Sequence, residues 1–598
     1  MSIEQHTFFF NGINGETGEY SQPLKLEQIM AQAQGEKEDY LKELETKYQN
    51  KGKDYFRLIE GVNPQDLAEA GWGVIFANDD PMKEAVREKL ESLLKYRQEQ
   101  AKSRYKEYKY IRGDSKNKFL TRHDVGDSNL VDPSKVPYYL LIIGDPETIP
   151  YEFQYQLDVA YAVGRIYFEN LEDYERYASN VVDIENGKVS LPRRAVFFGV
   201  HNEGDDATEW SHEHLISPLS EWIEEEIKIK GWEVQTLVKD QAKKEQLKQL
   251  IEGSKTPGFL FTASHGVFFP QDSELQLKHQ GALLCQDWRG GETFTKDYYF
   301  SADDISNEAQ LHGLITFHFA CHSIGTPELD SFDNSSNRLA PKPFVARLPQ
   351  RLLSQGALAV IGHVDRVLKY SFLGSYGQAQ LETFKDSLIR LLMKGYPVGY
   401  AVESFNERYS ALAADLLASR TDSSVSDWHV SDLWLAYRDA RSYAILGDPA
   451  VRLVVGDAQQ CEQTTKETVH LSPTPSILKL STDERAAVTS QTAERVDEEV
   501  DLAQAQNQLN QALEQFVNIA QQVPAHQAEQ LQLAVEAAIN RLNEVATNLK
   551  IKQAQNQLSQ VLEQFVNIVQ QSSTYQADQF QLTVKLATDL LESLKKLS

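Results

Sequence analysis

Cysteine is scarce in this chain. Only Cys285, Cys321 and Cys461 occur in 598 residues, in no spacing that would hold a metal or close a disulfide framework. That excludes a small stapled scaffold and suits a reducing compartment. Long apolar runs are missing too: no stretch reaches the roughly 18 residues of a membrane helix, and the opening MSIEQHTFFFNGINGETGEY has no basic region followed by an apolar one. No membrane partner is expected, and the cytoplasm is the expected location. Positive charge is also short, with 60 Lys and Arg against 87 Asp and Glu and a formal net charge of -27. Such a field repels a phosphate backbone, so nucleic acid is not an expected partner. The one basic stretch, 104–122 (RYKEYKYIRGDSKNKFLTR), reads as a solvated loop, or as an exposed segment open to a protease that prefers basic residues.

Apolar residues make up 41% and aromatics 10%, and the length exceeds what one core usually serves, so two to four domains are expected. Segments 24–52 and 82–108 are charged and nearly free of glycine and proline, and read as exposed helices. Between about 135 and 458, strand-length apolar runs alternate with amphipathic helical ones. The strand candidates are 138–144, 194–200, 232–238, 258–264, 314–320 and 357–364, with helices expected at 218–230, 241–252, 345–355, 380–394 and 399–419. This is the pattern of an α/β fold, a mainly parallel sheet covered by helices on both faces, whose chemistry lies beyond the carboxyl ends of the strands. Polar residues and two prolines mark a linker at 459–482. After it, QAQNQLNQALEQFVNI at 504–519 recurs as QAQNQLSQVLEQFVNI at 553–568, which predicts a C-terminal all-α domain of helical-hairpin repeats over 483–598. Its outer surface is a candidate for docking a protein partner.

His265 stands immediately after one strand candidate, in TASHG, and Cys321 immediately after another, in HFACHSIGT. If those strands are parallel neighbours, both side chains emerge at one edge despite the distance in sequence. An imidazole there would raise the thiolate fraction and later protonate a leaving amine. The N–H groups of Gly266 and Cys321 are candidate donors to an oxyanion, Gly266 permitting close backbone approach. A structural histidine beside an inert buried cysteine fits the same residues. His322 and His363 also sit at strand ends and could line a cleft, whereas His318 points to the opposite face from Cys321. Cys285 reads as core. His312, His318, His322 and Cys321 lack the spacing of a zinc site.

TASHG with ACHSIGT resembles the catalytic signatures of caspase-like cysteine peptidases, and ACHS is similar to the metacaspase motif. The longer context, with LLIIGDPETIP at 140–150, GALLCQDW at 281–288 and YAILGDPAVRL at 443–453, resembles gingipain-type (C25-like) bacterial proteins over roughly 135–455. The resemblance implies a caspase-hemoglobinase-like sheet, a His265–Cys321 dyad, and hydrolysis of peptide bonds in a protein or peptide substrate with no cofactor required, activation by calcium being left open. It also implies a noncatalytic α/β subdomain (135–235) ahead of a catalytic subdomain (236–458), set between an N-terminal helical or mixed region (1–134) and the linker and repeat bundle read from the sequence itself. Metacaspases usually carry an acid two positions before the nucleophile, where this chain has Phe319. A lean toward Arg or Lys substrates therefore rests on Asp287, Asp303, Asp304 and Asp330, which flank the candidate strands and could receive a basic side chain. A catalytically silent scaffold of the same fold is the alternative reading.

Overall fold

The computed structural model describes residues 7–456, apart from 9–10, 22–23, 50–57, 60, 127–130, 253–254, 333–336, 375–376 and 423. The linker at 459–482 and the repeat bundle at 483–598 lie outside the described residues.

The strands of the two larger sheets, in chain order, are β1 (Gly12–Asn14), β2 (Trp72–Ala77), β3 (Tyr105–Tyr110), β4 (Tyr139–Ile143), β5 (Ala162–Ile166), β6 (Arg194–Gly199), β7 (Glu233–Val238), β8 (Phe259–Ala263), β9 (Gly266–Phe268), β10 (Ala282–Leu284), β11 (Tyr299–Phe300), β12 (Ile315–Phe319), β13 (Ala359–His363) and β14 (Tyr443–Gly447). Among the described residues, ten of them form one sheet in the order β7-β6-β8-β12-β13-β14-β5-β4-β2-β3. Every pairing in it is parallel except β13 with β14. Helices cover both faces, which is why the inner strands read as unbroken apolar runs such as YLLII and FLFTA. One continuous hydrophobic core runs through both halves of the sheet. This is the caspase-hemoglobinase-like α/β architecture.

The expected strands and helices of the middle region are present within a residue or a few. Two expectations fail near the N-terminus. The basic stretch is not a loop: β3 forms one edge of the large sheet, with the helix Lys116–Thr121 after it. Its charges are those of an edge strand, where outward lysines discourage pairing with another chain, while Tyr108 and Tyr110 point into the core. Residues 82–108 are accordingly two short helices, Lys83–Lys89 and Glu91–Ala101, that run into a strand.

β14 is the late-coming strand that joins the two halves, pairing with β13 on one side and β5 on the other. Its approach is close: a Cβ built on Gly164 would stand 2.2 Å from the Gly447 carbonyl oxygen. Just beyond β14, buried Asp448 accepts from Arg97 Nε at 2.7 Å and from Trp72 Nε1 at 2.9 Å. Arg97 also makes a bidentate pair with Glu185, so its buried charge is fully compensated.

A smaller sheet, β11-β10-β9-β1, grows from the end of β8 and carries its own apolar cluster around Ile13, Val267, Trp288 and Tyr299. β1 lies parallel to β9, with Gly12 opposite Gly266.

Candidate active site

β8 and β12 are parallel neighbours, and Ala263 is in register with Phe319. The Ser264 N–H donates to the Phe319 carbonyl at 3.2 Å, extending the ladder by one rung. Counting two residues past the register on each strand reaches His265 and Cys321. They therefore stand level at the same carboxyl edge of the sheet, although far apart in sequence. The backbones touch here: a Cβ on Gly266 would fall 1.8 Å from the Cys321 carbonyl oxygen. No residue other than glycine fits that position without separating the strands.

Both side chains are buried, His265 at 0% and Cys321 at 1% exposure. His265 Nε2 lies 2.6 Å from Asp205 Oδ2. Asp205 immediately precedes the helix Asp206–Ser211, and it also accepts from Thr208 Oγ1 at 2.7 Å. Burial would raise the Asp205 carboxyl, yet the His265 charge and hydrogen bond, with Thr208 and the Ala207 N–H, hold it below the usual carboxylate range. A carboxylate facing Nε2 fixes the ring orientation and makes Nε2 the protonated nitrogen. Nδ1 is left buried without a hydrogen-bond partner, the free valence that a thiol or a leaving amine would use. The Tyr20 ring packs beside the imidazole with centroids 5.0 Å apart.

Cys321 Sγ accepts from the Val367 N–H at 3.2 Å. Burial pushes its thiol up to about 12, with the Val367 hydrogen bond acting in the opposite sense. The resting group is a protonated thiol, so nucleophilic chemistry there depends on a base. The Gly266 N–H donates to the Asn11 carbonyl at 3.2 Å. It can serve a substrate oxyanion only after that segment moves.

The remaining sequence candidates are spread around this centre. His322 follows Cys321 with φ +56, a left-handed conformation uncommon for a side-chain-bearing residue, and its N–H donates to Asp365 O at 3.0 Å. His363 ends β13 with its ring against Tyr443 and Phe319, centroids 4.1 and 5.4 Å away. The four acids are already engaged. Asp287 accepts the Lys244 N–H at 2.7 Å. Asp303 lies 3.0 Å from His279 Nε2 and 2.9 Å from Lys296 Nζ, and these two hold its carboxyl down to about 2. Asp304 accepts the Ser301 N–H at 2.9 Å and pairs with Lys244 Nζ at 2.9 Å. Asp330 pairs with Arg366, the residue before Val367, and is thereby the acid connected most directly to the thiol's surroundings. Among the described residues no group of three His, Cys, Asp or Glu stands close enough to hold a metal ion, and no helix is long and apolar enough to cross a membrane.

Sequence reasoning missed Asp205, Val367 and the hairpin carrying Asn11 and Tyr20. Asp205 sits just beyond the carboxyl end of β6, the neighbour of β8, so a survey of polar residues at every strand end would have reached it.

Buried histidines make the site acid-sensitive. Burial pushes His318 and His363 down to about 3 and His322 to about 4, against an ordinary 6.5. The unfolded chain then binds protons that the folded chain refuses, so their contribution is intact above the unfolded value and is lost as pH falls through the window toward 3. Each group costs about 1.4 kcal/mol per pH unit inside that window. Urea unfolding midpoints should fall steeply on acidification below about pH 6, and His318→Gln should flatten the slope by one histidine's share.

The description Peptidase family C25 matches residues 88–454. Among solved structures, one titled Structure of Protease covers 65% of this chain and 80% of its own, at 11% identity and a TM-score of 0.37. The complex of Porphyromonas gingivalis RgpB pro- and mature domains covers 64% and 80%, at 12% identity and a TM-score of 0.35. The Saccharomyces cerevisiae separase–securin complex covers 52% of this chain but 16% of its own, at 10% identity and a TM-score of 0.23. No curated protein matches the chain. The family match takes in more than half of the 598 residues, including both strand ends described above, and the chain belongs to peptidase family C25, the gingipain-type cysteine peptidases.

Proposed function

We propose that the protein is a cysteine endopeptidase in which Cys321 attacks the scissile carbonyl and His265 takes the thiol proton and passes it to the leaving amine. The observation that carries this reading is the level placement of His265 and Cys321 at one sheet edge, with Asp205 on the far nitrogen of the ring. The chain of roles is the one general base catalysis requires: a nucleophile too weakly acidic to ionise alone, a base in the same edge, and a carboxylate that orients the base and stabilises its charged form. The Cys321 N–H, and the Gly266 N–H once freed, are the proposed oxyanion donors. His322 and His363 act as walls of the cleft.

Cleavage after Arg or Lys is the specificity the four acids support. Each would exchange its present cation or N–H partner for the substrate's side chain, and Asp330 is the best situated through Arg366. We further propose that the catalytic part begins near residue 190, not 235, because β6 is hydrogen bonded to β8 and β7 to β6, so both belong with the half that bears His265 and Cys321.

The burial of the thiol favours one second reading, a silent scaffold of the same fold. Incubation with a peptide-based electrophile and digestion of a peptide library, with and without calcium, separates the two. The peptidase takes up one equivalent of label on Cys321 and yields a defined set of cut sites. A folded protein that does neither is the scaffold.

A further inference from the structure

The loop that touches the thiol is itself tied down from behind. After β13 the chain passes through 364–371, bonded on one side to Cys321 and His322 and on the other to the C-terminal end of the helix Asp427–Arg441. Toward the nucleophile, the Asp365 carbonyl accepts the His322 N–H at 3.0 Å and the Val367 N–H donates to Cys321 Sγ at 3.2 Å. Toward the helix, Val364 donates its N–H to the Ser442 carbonyl at 3.0 Å. The very next residue after Val367 is gripped by a side chain: the Leu368 N–H donates to Asp439 Oδ1 at 2.9 Å, and the Ser371 hydroxyl donates to Asp439 Oδ2 at 2.7 Å. Asp432, about two turns earlier on the same helix face, accepts the Tyr370 hydroxyl at 2.7 Å. A helix that had only to cover the sheet would bury apolar side chains here, because a buried carboxylate is costly unless hydrogen bonds satisfy it. Asp439 is 0% exposed. Burial pushes its carboxyl up to about 6, opposed by the Leu368 and Ser371 hydrogen bonds and by the charge of Arg408, which bonds the Tyr370 carbonyl from the helix Glu403–Thr421. Near neutral pH it is therefore ionised and accepts at both oxygens.

We infer that Asp439 is a positioning residue for the nucleophile: by holding Leu368 and Ser371 it keeps the Val367 N–H aimed at Cys321 Sγ, where that N–H stabilises the thiolate as His265 removes the proton. The inference rests on the Cys321–His265 reading. As a bare charge Asp439 works against the site, since a negative group near the thiol raises it. What it contributes is the place of a donor. A hydrogen bond to a charged acceptor is stronger than one to a neutral acceptor, so the Val367 N–H favours the ionised sulfur over the protonated one, and it does so only while it stays in line with Sγ. The carboxylate never meets the substrate in this role; it acts through two backbone residues.

Alkylation of Cys321 by iodoacetamide in the full chain, followed by peptide mass mapping at several pH values above about 7, tests this. Asp439→Ala, Asp439→Asn and Ser371→Ala are compared with wild type, together with kcat, KM and the urea midpoint of each. Both Asp439 variants lack the charge, so a difference between them reads the anchor alone: asparagine keeps an oxygen for the Leu368 N–H and alanine has none. Alkylation and kcat in Asp439→Ala are expected to fall about tenfold below Asp439→Asn, the scale of one hydrogen bond to a charged group, with similar KM. Ser371→Ala, which leaves the charge and the Leu368 bond in place, is expected to label more slowly than wild type by a factor of roughly three. Equal rates in the two Asp439 variants overturn the inference, and so does a lower urea midpoint with unchanged labelling, which would make Asp439 a support of the fold alone. If Asp439→Ala does not fold, Ser371→Ala decides, and labelling at the wild-type rate overturns the inference. A wild type that digests peptides while its variants label alike leaves the peptidase reading standing. Labelling that follows the anchor in a protein that digests nothing overturns the peptidase reading and leaves the anchoring of the thiol. A wild type whose Cys321 takes no label overturns both.

Discussion

Asp205→Asn is expected to lower kcat on peptide substrates by a factor on the order of 10²–10⁴, the usual range of a general acid–base contribution, with KM little changed. The carboxylate touches His265 at Nε2, so in the proposed mechanism it acts through the ring. In the proposed mechanism, when the thiol, held at about 12 by burial, gives up its proton, the imidazole becomes a buried cation. Asp205 would then be the counter-charge that stabilises it. Asparagine keeps the shape but removes the charge, and it can present an N–H to Nε2, turning the ring to the wrong tautomer. A steady-state assay of kcat and KM over pH checks this. Asp205→Glu should restore part of the rate, and a variant equal to wild type would remove Asp205 from the mechanism.

Gly266→Ala should be the most damaging single methyl group in the site. The added carbon would lie 1.8 Å from the oxygen, 2.7 Å from the carbon and 2.8 Å from the nitrogen of Cys321, all of them backbone atoms. Nothing there can rotate away. The strand ends must separate, at the cost of overpacking, about 1–3 kcal/mol or more, and Cys321 loses its level placement with His265. Labelling of Cys321 and peptide turnover should both fall to background, with a lower urea midpoint. Gly35→Ala is the matched control, because a Cβ there meets nothing within 4 Å. Wild-type labelling in Gly266→Ala would show that the close approach is not needed.

Much of this site was legible because its physics is local. Strands buried on both faces announce themselves as short apolar runs, and a polar residue that interrupts such a run marks an edge where chemistry can sit; TASHG and FACHS both do so. Parallel order could then be anticipated from the intervening helices. What escaped was whatever depends on pairing across long stretches of chain. β2 is as apolar as any central strand, but it stands among charged helices that set the expectation for its region. β3, with lysine and glutamate between tyrosines, carries the composition of an exposed segment because one of its edges faces solvent. Asp205 lies in a polar turn, HNEGDD, where several acids look equivalent until the fold selects the one facing His265. The Asn11–Tyr20 hairpin is glycine-rich for a reason invisible in sequence: Gly15 and Gly18 press on Phe269 and Trp288.

The place of β14 has a consequence for how the enzyme is made. Residues 443–447 complete the middle of the sheet, between strands synthesised far earlier. Until they leave the ribosome, β13 and β5 each present an open edge, and pairings of such long sequence separation form slowly. A nascent chain therefore carries Cys321 without a finished sheet behind it until residues 443–447 have emerged, and the large sheet is assembled only when translation of the fold is nearly done.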